Sequence, residues 1–409
     1  MNLLIRLPNW LGDTLMFTPT LDLLQRIYPD LKCILVGNEL SASLFSSLDS
    51  GFKIFVDTSK QNRGIVKRLR AISALAADIN EYLENEKIEL DCALTTQNNF
   101  FSALLLSKIH AKATLGYGDK NLFGLRKFLL THNIKFNSGR PPACRHQVLS
   151  YANLLLPLLP PSFYQSIDLD KLAYKANPKA GLLQNKLFSQ IGDLKLPAPK
   201  PKQSQTYKNP NETVIGLGPG ASYGISKMWL PEYFSEVAIT LIKKGHKVKI
   251  YGSKSEMDYN GAIESNILQA IGAEQRDLLE NLTGKTDFAA FVASLKHCAL
   301  YIGNDSGIMH VARALRIPLI VFYGPSPFEW CSPWSPDFYQ HHIASEDSDL
   351  KNEEIKKTQV RIDSSVVLKR ELSCAPCYKR TCPLSHHNCM RLITPDEVLV
   401  VAESLLFQR

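Results

Sequence analysis

The stretch Tyr301-Ile302-Gly303-Asn304-Asp305-Ser306-Gly307-Ile308-Met309-His310 constrains the fold more than any other part of the chain. It follows an apolar run, Ala299 to Ile302, and opens a pattern in which Ile308, Val311, Ala312 and Leu315 recur at i, i+3, i+4 and i+7. That spacing predicts a helix with one buried face. At about 100° per residue, Ser306, His310 and Arg313 share the opposite face, away from the core. Asn304, Asp305 and Ser306 each suit an N-cap, and a helix N-terminus offers unpaired N–H groups to an anion. Pro318 ends the helix, and Leu319 to Tyr323 reads as the next buried strand before Gly324-Pro325. Strand, Gly/Asp/Ser turn, helix and strand form either a diphosphate-binding corner of an α/β domain or an ordinary βαβ turn.

A second corner of this kind stands at the start of the chain. Leu3 to Leu7 reads as a strand, Pro8-Asn9-Trp10-Leu11-Gly12-Asp13 as the turn after it, and Phe17, Leu21, Leu24 and Tyr28 as a helix. Pro19 inside that pattern means a helix that starts near Thr18 or is kinked there. Asp13 then sits at the carboxyl end of a strand, where open parallel sheets take ligands, as a helix cap or as a catalytic carboxylate. The third corner runs from Thr213 through Gly216-Leu217-Gly218-Pro219-Gly220-Ala221-Ser222 to Ser226-Lys227-Met228-Trp229. Its glycines admit close backbone approach to a phosphate and Lys227 supplies a point charge. Neither the dinucleotide fingerprint nor a Gly-Lys-Ser/Thr loop is present, which disfavours a nicotinamide enzyme.

Together these stretches resemble glycosyltransferase family 9, the ADP-heptose:lipopolysaccharide heptosyltransferases. Leu7-Pro8-Asn9-Trp10-Leu11-Gly12-Asp13 with Met16 looks most like the heptosyltransferase II branch. Gly218-Pro219-Gly220-Ala221 with Lys227-Met228-Trp229 matches the second family motif, and Asn304 to His310 with Tyr323-Gly324-Pro325-Ser326 the third. The resemblance implies the GT-B architecture, two doubly wound Rossmann-like domains facing a cleft. It also implies inverting transfer of heptose from ADP-heptose to the lipopolysaccharide inner core, with Asp13 as general base. Lys227, the Ser306 and Gly307 backbone and His310 would hold the departing diphosphate. Gly12, Gly220, Ser222 and Asp305 complete the implied donor site, and Gly252-Ser253-Lys254 would lie near the ribose or base. No Asp-x-Asp metal-diphosphate motif appears in these stretches, so no catalytic cation is required. The alternatives are a family-9 transferase with another sugar or acceptor (outer core or protein), or a non-catalytic nucleotide-sugar-binding protein.

The rest of the chain fits that reading. At 409 residues two domains are expected. The Pro-, Lys- and Gln-rich segment 194–211 reads as a linker between an acceptor domain, 1–193, and a nucleotide-sugar domain, 212–345. Strands expected at 2–7, 32–36 and 91–95 alternate with helices at 18–28, 65–84 and 100–110. After the linker, strands at 213–217, 247–251, 299–302 and 318–323 alternate with helices at 231–244, 287–296 and 306–316. Such alternation predicts parallel sheets with right-handed crossovers. No apolar run is long enough to span a bilayer, and the N-terminus begins as a strand, so the expected setting is cytoplasmic.

A net charge of +8 suggests an acidic partner. Lys60, Arg63, Lys67, Arg68 and Arg70 cluster, with Arg63 and Lys67 four apart and able to share a helix face. Without aromatic interleaving or a nucleic-acid motif, nucleic acid is set aside. Lys60, Arg63 and Lys67 are expected to meet an anionic, lipid-linked core oligosaccharide at the cytoplasmic face of the inner membrane of a Gram-negative-type bacterium, the enzyme being peripheral to it. A plain solvated face is the other reading.

Residues 346–409 hold a charged stretch (345–371), expected as a surface excursion, then a Cys-rich segment and a last helix. Cys374, Cys377, Cys382 and Cys389, with His386 and His387 between, have the density of a structural zinc site, although the second pair is widely spaced; reduced, packed thiols are the other reading. Thr394, Pro395 and Glu397 form a capping box. Val398, Val401 and Leu405 give that helix an apolar face, expected to pack back across the first domain.

Overall fold

The computed structural model describes residues 1–46, 51–117, 125–134, 146–160, 187–196, 213–339 and 359–407. The chain forms two compact units, Met1–Lys200 and Pro201–Arg409. Residues 197–212, most of the expected linker, and 340–358, the first half of the charged stretch, lie outside the described residues.

The first unit is built on six parallel strands: β1 (Asn2–Arg6), β2 (Lys32–Gly37), β3 (Lys53–Val56), β4 (Cys92–Thr95), β5 (Thr114–Tyr117) and β6 (His132–Ile134). Their order is β3-β2-β1-β4-β5-β6. Parallel pairing needs crossovers. Helices α1 (Leu11–Ile27), α2 (Glu39–Ser46), α3 (Ile65–Asn85) and α4 (Phe100–Leu106) alternate with the strands, and α5 (Gln147–Asn153) packs on α1. The order reverses between β1 and β4, and at such a switch point the carboxyl ends of the strands open a ligand crevice.

The second unit repeats the plan. Strands β7 (Val214–Gly218), β8 (Lys247–Ile250), β9 (Leu279–Asn281), β10 (Leu300–Asn304), β11 (Leu319–Tyr323), β12 (Gln359–Ile362) and β13 (Ser365–Lys369) lie in the order β12-β13-β11-β10-β7-β8-β9. All pair in parallel except β12 with β13. Its helices are α6 (Pro231–Lys243), α7 (Met257–Ala270), α8 (Phe288–Lys296), α9 (Gly307–Ala314), α10 (Phe328–Cys331), α11 (Asn388–Arg391) and α12 (Pro395–Phe407). Here the reversal falls between β7 and β10, so the glycine-rich loop and the Asn304–Gly307 turn flank one switch point.

Five expectations need correction. The first helix begins at Leu11 and runs through Pro19. Proline removes the N–H that would bond the Leu15 carbonyl. The Thr18 hydroxyl donates to that carbonyl instead, at 2.7 Å. The described part of the charged stretch is a hairpin, not an excursion, because Val366, Val367 and Leu368 are buried beside β11. The last helix buries Val398, Val401 and Leu405 in the second unit's own core, packed on α6. Its capping box is half formed: Glu397 N–H donates to Thr394 Oγ1, while the Glu397 carboxylate takes Arg370 as its partner. Finally, α3 begins at Ile65, so Arg63 precedes the helix and shares no face with Lys67.

Trp229 anchors the second unit's core. It is fully buried, its ring centroid lies 4.5 Å from that of Phe322 in a tilted pair and 5.0 Å from that of Phe234 edge-on, and it donates its indole N–H to the Ile393 carbonyl at 2.9 Å. Truncating a buried Trp leaves a cavity and an unpaired carbonyl, so Trp229→Ala should cost about 3–5 kcal/mol. Thermal unfolding checks this, and a wild-type melting temperature would refute it.

Candidate active site

In the first unit the turn after β1 is held by polar side chains. The Arg6 guanidinium, buried, pairs with Asp57 at 2.6 Å and donates to the Leu7 and Val36 carbonyls. Gln97 donates to the Leu7 carbonyl at 2.6 Å, and Asn38 to the Asn9 carbonyl at 2.9 Å. The chain then enters α1 at Trp10, whose side chain makes no capping bond, leaving the first-turn N–H groups of Leu11, Gly12 and Asp13 pointing outward along the helix. Asp13 is in that turn rather than at the N-cap, and is partly buried. Tyr151 on α5 donates its hydroxyl to Asp13 Oδ1 at 3.2 Å, its ring set edge-on to Phe17. Burial, aided by the Asp13 charge, pushes the Tyr151 phenol well above its ordinary pKa, so it stays a donor. Nothing in the local sequence pattern singled out Tyr151, because it reaches Asp13 through tertiary packing of α5 on α1.

Lys60, Arg63 and Lys67 are exposed. Arg68, behind them, stacks its guanidinium 3.6 Å above the Phe101 ring. Gly12 is buried in the first turn of α1, in the unit that does not carry the glycine-rich loop.

In the second unit two segments meet at the switch point. Asn304, fully buried at the end of β10, donates to the Pro219 carbonyl at 2.6 Å and accepts from the Trp229 N–H at 2.9 Å. It therefore stitches the glycine-rich loop to the neighbouring strand, a role its sequence position does not announce. Lys227 closes a short 3₁₀ turn, Ile225–Lys227, and its Nζ lies 2.5 Å from Asp305 Oδ2. Burial alone would lower the Lys227 pKa; the Asp305 carboxylate outweighs it and the ammonium is held above its usual range. Burial likewise opposes ionisation of Asp305, but Lys227 wins and holds the carboxyl low. The Cys331 thiol, on α10, reaches the same oxygen at 3.5 Å and is kept protonated by burial and by Asp305.

His310 departs from expectation. The predicted outward face of α9 is covered: His310 and Arg313 are 3% and 7% exposed. Arg313 donates to the Trp334 carbonyl and pairs with Asp363, each at 2.6 Å, so chain from beyond the strands packs over that face. Burial pushes the His310 imidazole down to about 4, Asp305 opposing and Lys227 assisting, and among the described residues its Nδ1 has no hydrogen-bond partner. At neutral pH it is therefore an uncharged donor or acceptor. Ser306 is the N-cap of α9 without a side-chain capping bond, and Ser306 and Gly307 remain partly exposed, so the helix N–H groups can be reached.

Ser222 is exposed at the tip of the glycine-rich loop. The glycines there serve the unit's own packing: a Cβ on Gly218 would stand 1.9 Å from the Tyr301 hydroxyl, and one on Gly220 would meet Glu256. Glu256 caps the turn at Ser253, accepting from its N–H at 2.6 Å, which brings the Gly252-Ser253-Lys254 turn beside the loop. Cys374, Cys377, Cys382 and Cys389 line one cavity of about 20 Å³, together with His386, His387 and Ser226. Among the described residues no three His, Cys, Asp or Glu side chains are arranged to hold a metal ion. No helix among them is long and apolar enough to cross a membrane.

Two doubly wound units, with a carboxylate at one switch point and a lysine and open helix N-terminus at the other, are what a glycosyltransferase of the GT-B class is built from, and solved heptosyltransferases share the fold. The chain belongs to glycosyltransferase family 9 (heptosyltransferase), whose profile matches residues 85–362. It is 28% identical to lipooligosaccharide heptosyltransferase 2 of Campylobacter jejuni over 99% of this chain and 98% of that one. Lipopolysaccharide heptosyltransferase 2 of Escherichia coli is 37% identical over 30% of this chain and 34% of that one. In fold it is similar to E. coli ADP-heptose lps heptosyltransferase II, with a TM-score of 0.67 and 22% identity over 100% and 99% of the two chains. A family 9 structure from Veillonella parvula gives 0.69 and 20% identity, covering 100% and 98%.

The Tyr151 contact generates a prediction. A donor to the carboxylate favours its charged form, so Tyr151→Phe should raise the Asp13 pKa by up to about one unit, the worth of one ordinary hydrogen bond. The acidic limb of the pH–rate profile should then move upward, with activity lost at higher pH as pH falls. An unmoved limb would show that the group setting it is not the Asp13 carboxylate bonded by Tyr151.

Proposed function

We propose that this enzyme moves a heptose from ADP-heptose to the inner core of lipopolysaccharide with inversion at the anomeric carbon, as a heptosyltransferase II-type enzyme. The observation that carries this reading is the Lys227–Asp305 pair set beside the open N-terminus of α9 at a sheet switch point. There a diphosphate would meet one ammonium and several backbone N–H groups, the donors a leaving group needs. Asp13 takes the proton of the acceptor hydroxyl, with Tyr151 fixing the carboxylate; the hydroxyl oxygen attacks the anomeric carbon and ADP departs. Lys227, the Ser306 and Gly307 backbone and neutral His310 receive the developing charge, and Asp305 orients Lys227. Gly12, Gly220 and Ser222 contribute backbone and hydroxyl contacts to bound donor. With the charge handled by these groups, the reaction needs no metal or other cofactor.

Lys60, Arg63 and Lys67 face the anionic acceptor. The names of the relatives, lipooligosaccharide and lipopolysaccharide heptosyltransferase 2, support a lipooligosaccharide or lipopolysaccharide as that acceptor. We further propose peripheral attachment at the cytoplasmic face of the inner membrane. Ile65 and Val66, 67% and 57% exposed, stand between Arg63 and Lys67 on the first turn of α3, an apolar and basic pairing suited to an anionic bilayer.

A transfer assay with ADP-heptose and truncated core acceptors tests the reaction, with product configuration read by NMR and chelator present in one arm. Inverted product and chelator-insensitive turnover are expected. Asp13→Asn should bind ADP within a few-fold of wild type while turnover falls ~10²–10⁴-fold, the usual cost of a lost general base. Lys227→Ala should lose donor affinity and rate together. Substantial turnover by Asp13→Asn, with the acidic limb intact, would place the base elsewhere.

The membrane surface is tested by co-sedimentation with vesicles containing phosphatidylglycerol. Replacing Ile65 and Val66 with Glu should abolish binding without slowing transfer to a soluble acceptor. Undiminished sedimentation would exclude this surface.

A further inference from the structure

The Cys-rich segment grips the loop that carries Lys227. The Tyr223 hydroxyl donates to the Tyr378 carbonyl at 2.8 Å. The Ser226 N–H donates to the Arg380 carbonyl at 3.1 Å and the Ser226 hydroxyl to the Lys379 carbonyl at 2.5 Å. His387 Nε2 lies 3.0 Å from the Ser226 carbonyl oxygen, which can only accept, so Nε2 carries the proton and donates. Backbones also touch: a Cβ on Gly224 would stand 2.5 Å from the Arg380 carbonyl oxygen. The segment is moored in turn, since Tyr378 N–H donates to the Pro325 carbonyl at 2.9 Å and the buried Cys389 abuts Gly324.

Ile225–Lys227 is one turn of 3₁₀ helix, too short to hold its own shape in water. Its geometry must come from its neighbours. Lys227 is anchored on one side by Asp305, while residue 226 is fixed on the other by His387 and two carbonyls of the Cys-rich segment. We propose that residues 374–389 are a positioning clamp for Lys227, in which His387 is a positioning residue and the thiol-lined cavity keeps the clamp folded. This assigns the segment a part in donor binding, and it rests on the reading of Lys227 as a diphosphate ligand.

The test uses the full chain with His387→Ala, His387→Gln, Gly224→Ala and Lys227→Ala, read by calorimetric ADP affinity and by donor and acceptor KM. His387→Ala and Gly224→Ala should weaken ADP binding by about tenfold and raise donor KM, with acceptor KM unchanged. His387→Gln, which keeps an N–H donor, should restore most of the loss. Wild-type ADP affinity in His387→Ala, alongside loss in Lys227→Ala, overturns the clamp while sparing the donor reading. Unchanged affinity in Lys227→Ala overturns the donor reading itself. Equal weakness of the Gln and Ala variants refutes the hydrogen bond as the link. Should Gly224→Ala fail to fold, the His387 pair decides alone.

Discussion

The ion pair between Lys227 and Asp305 is the interaction on which the second unit's site depends. Its side chains are 15% and 5% exposed, so both charges have largely left water. A buried pair returns its desolvation cost only with good geometry and further hydrogen bonds, and losing one partner typically costs about 3–5 kcal/mol. Both conditions are met by the surrounding chain. Asn304 fixes the strand end and the loop relative to each other, Cys331 shares the carboxylate, and the Cys-rich segment fixes Ser226. The pair thus links a loop from after β7 to the end of β10, the two strands at which the sheet order reverses.

The same topology recurs in the first unit, and there too the polar residues collect where the order reverses. Arg6, Asn9, Gln97 and Asp57 lie at or just beyond the carboxyl ends of β1, β4 and β3. Their hydrogen bonds hold the turn that delivers Asp13. Parallel sheets covered by helices leave only their strand ends accessible, so function in such units gathers on the loops that follow the strands.

Much of this was legible in the sequence where periodicity or punctuation is strong. Apolar runs marked β1, β2, β10 and β11, and caps and prolines marked α6 and α12 closely. What was missed has weak local signals. His132 and Asn133 are exposed on β6, and β9 has no buried residue, so neither strand shows alternation. The β12–β13 hairpin hid in a charged stretch because the buried Val360 and Ile362 are interleaved with the exposed Gln359 and Arg361, and only Val366 to Leu368 form an apolar run. Helix α7 buries Ile263 and Ile267 with Asn260, too sparse a stripe to stand out. Within the second unit, Lys227, Asp305, Ser306 and His310 were legible as a group through their motifs. Tyr151, which bonds Asp13, Cys331, which bonds Asp305, and His387, which bonds the Ser226 carbonyl, were not, since each is brought in by packing from another element. The burial of His310 was misread for a related reason: helical periodicity names the face toward the sheet, but cannot see that Trp334 and Asp363 cover the other.

That burial changes how the proposed donor site would work. Before donor arrives, the cluster holds an ammonium, a carboxylate and an imidazole held neutral by a pKa pushed down to about 4. Its formal charge is therefore zero at neutral pH. A diphosphate would be drawn in by directed N–H groups at α9 and by Lys227 turning part of its bonding from Asp305 to phosphate, rather than by a pool of positive charge. Such a site stabilises charge that develops on the leaving group through fixed dipoles, which need little reorganisation as the glycosidic bond breaks. It also avoids holding free ADP as strongly as a multiply cationic pocket would, and product must leave for turnover to continue. The exposed cations of the first unit, Lys60, Arg63 and Lys67, would need no such restraint under the proposed reading, because an acceptor anchored in a membrane would already have its location fixed.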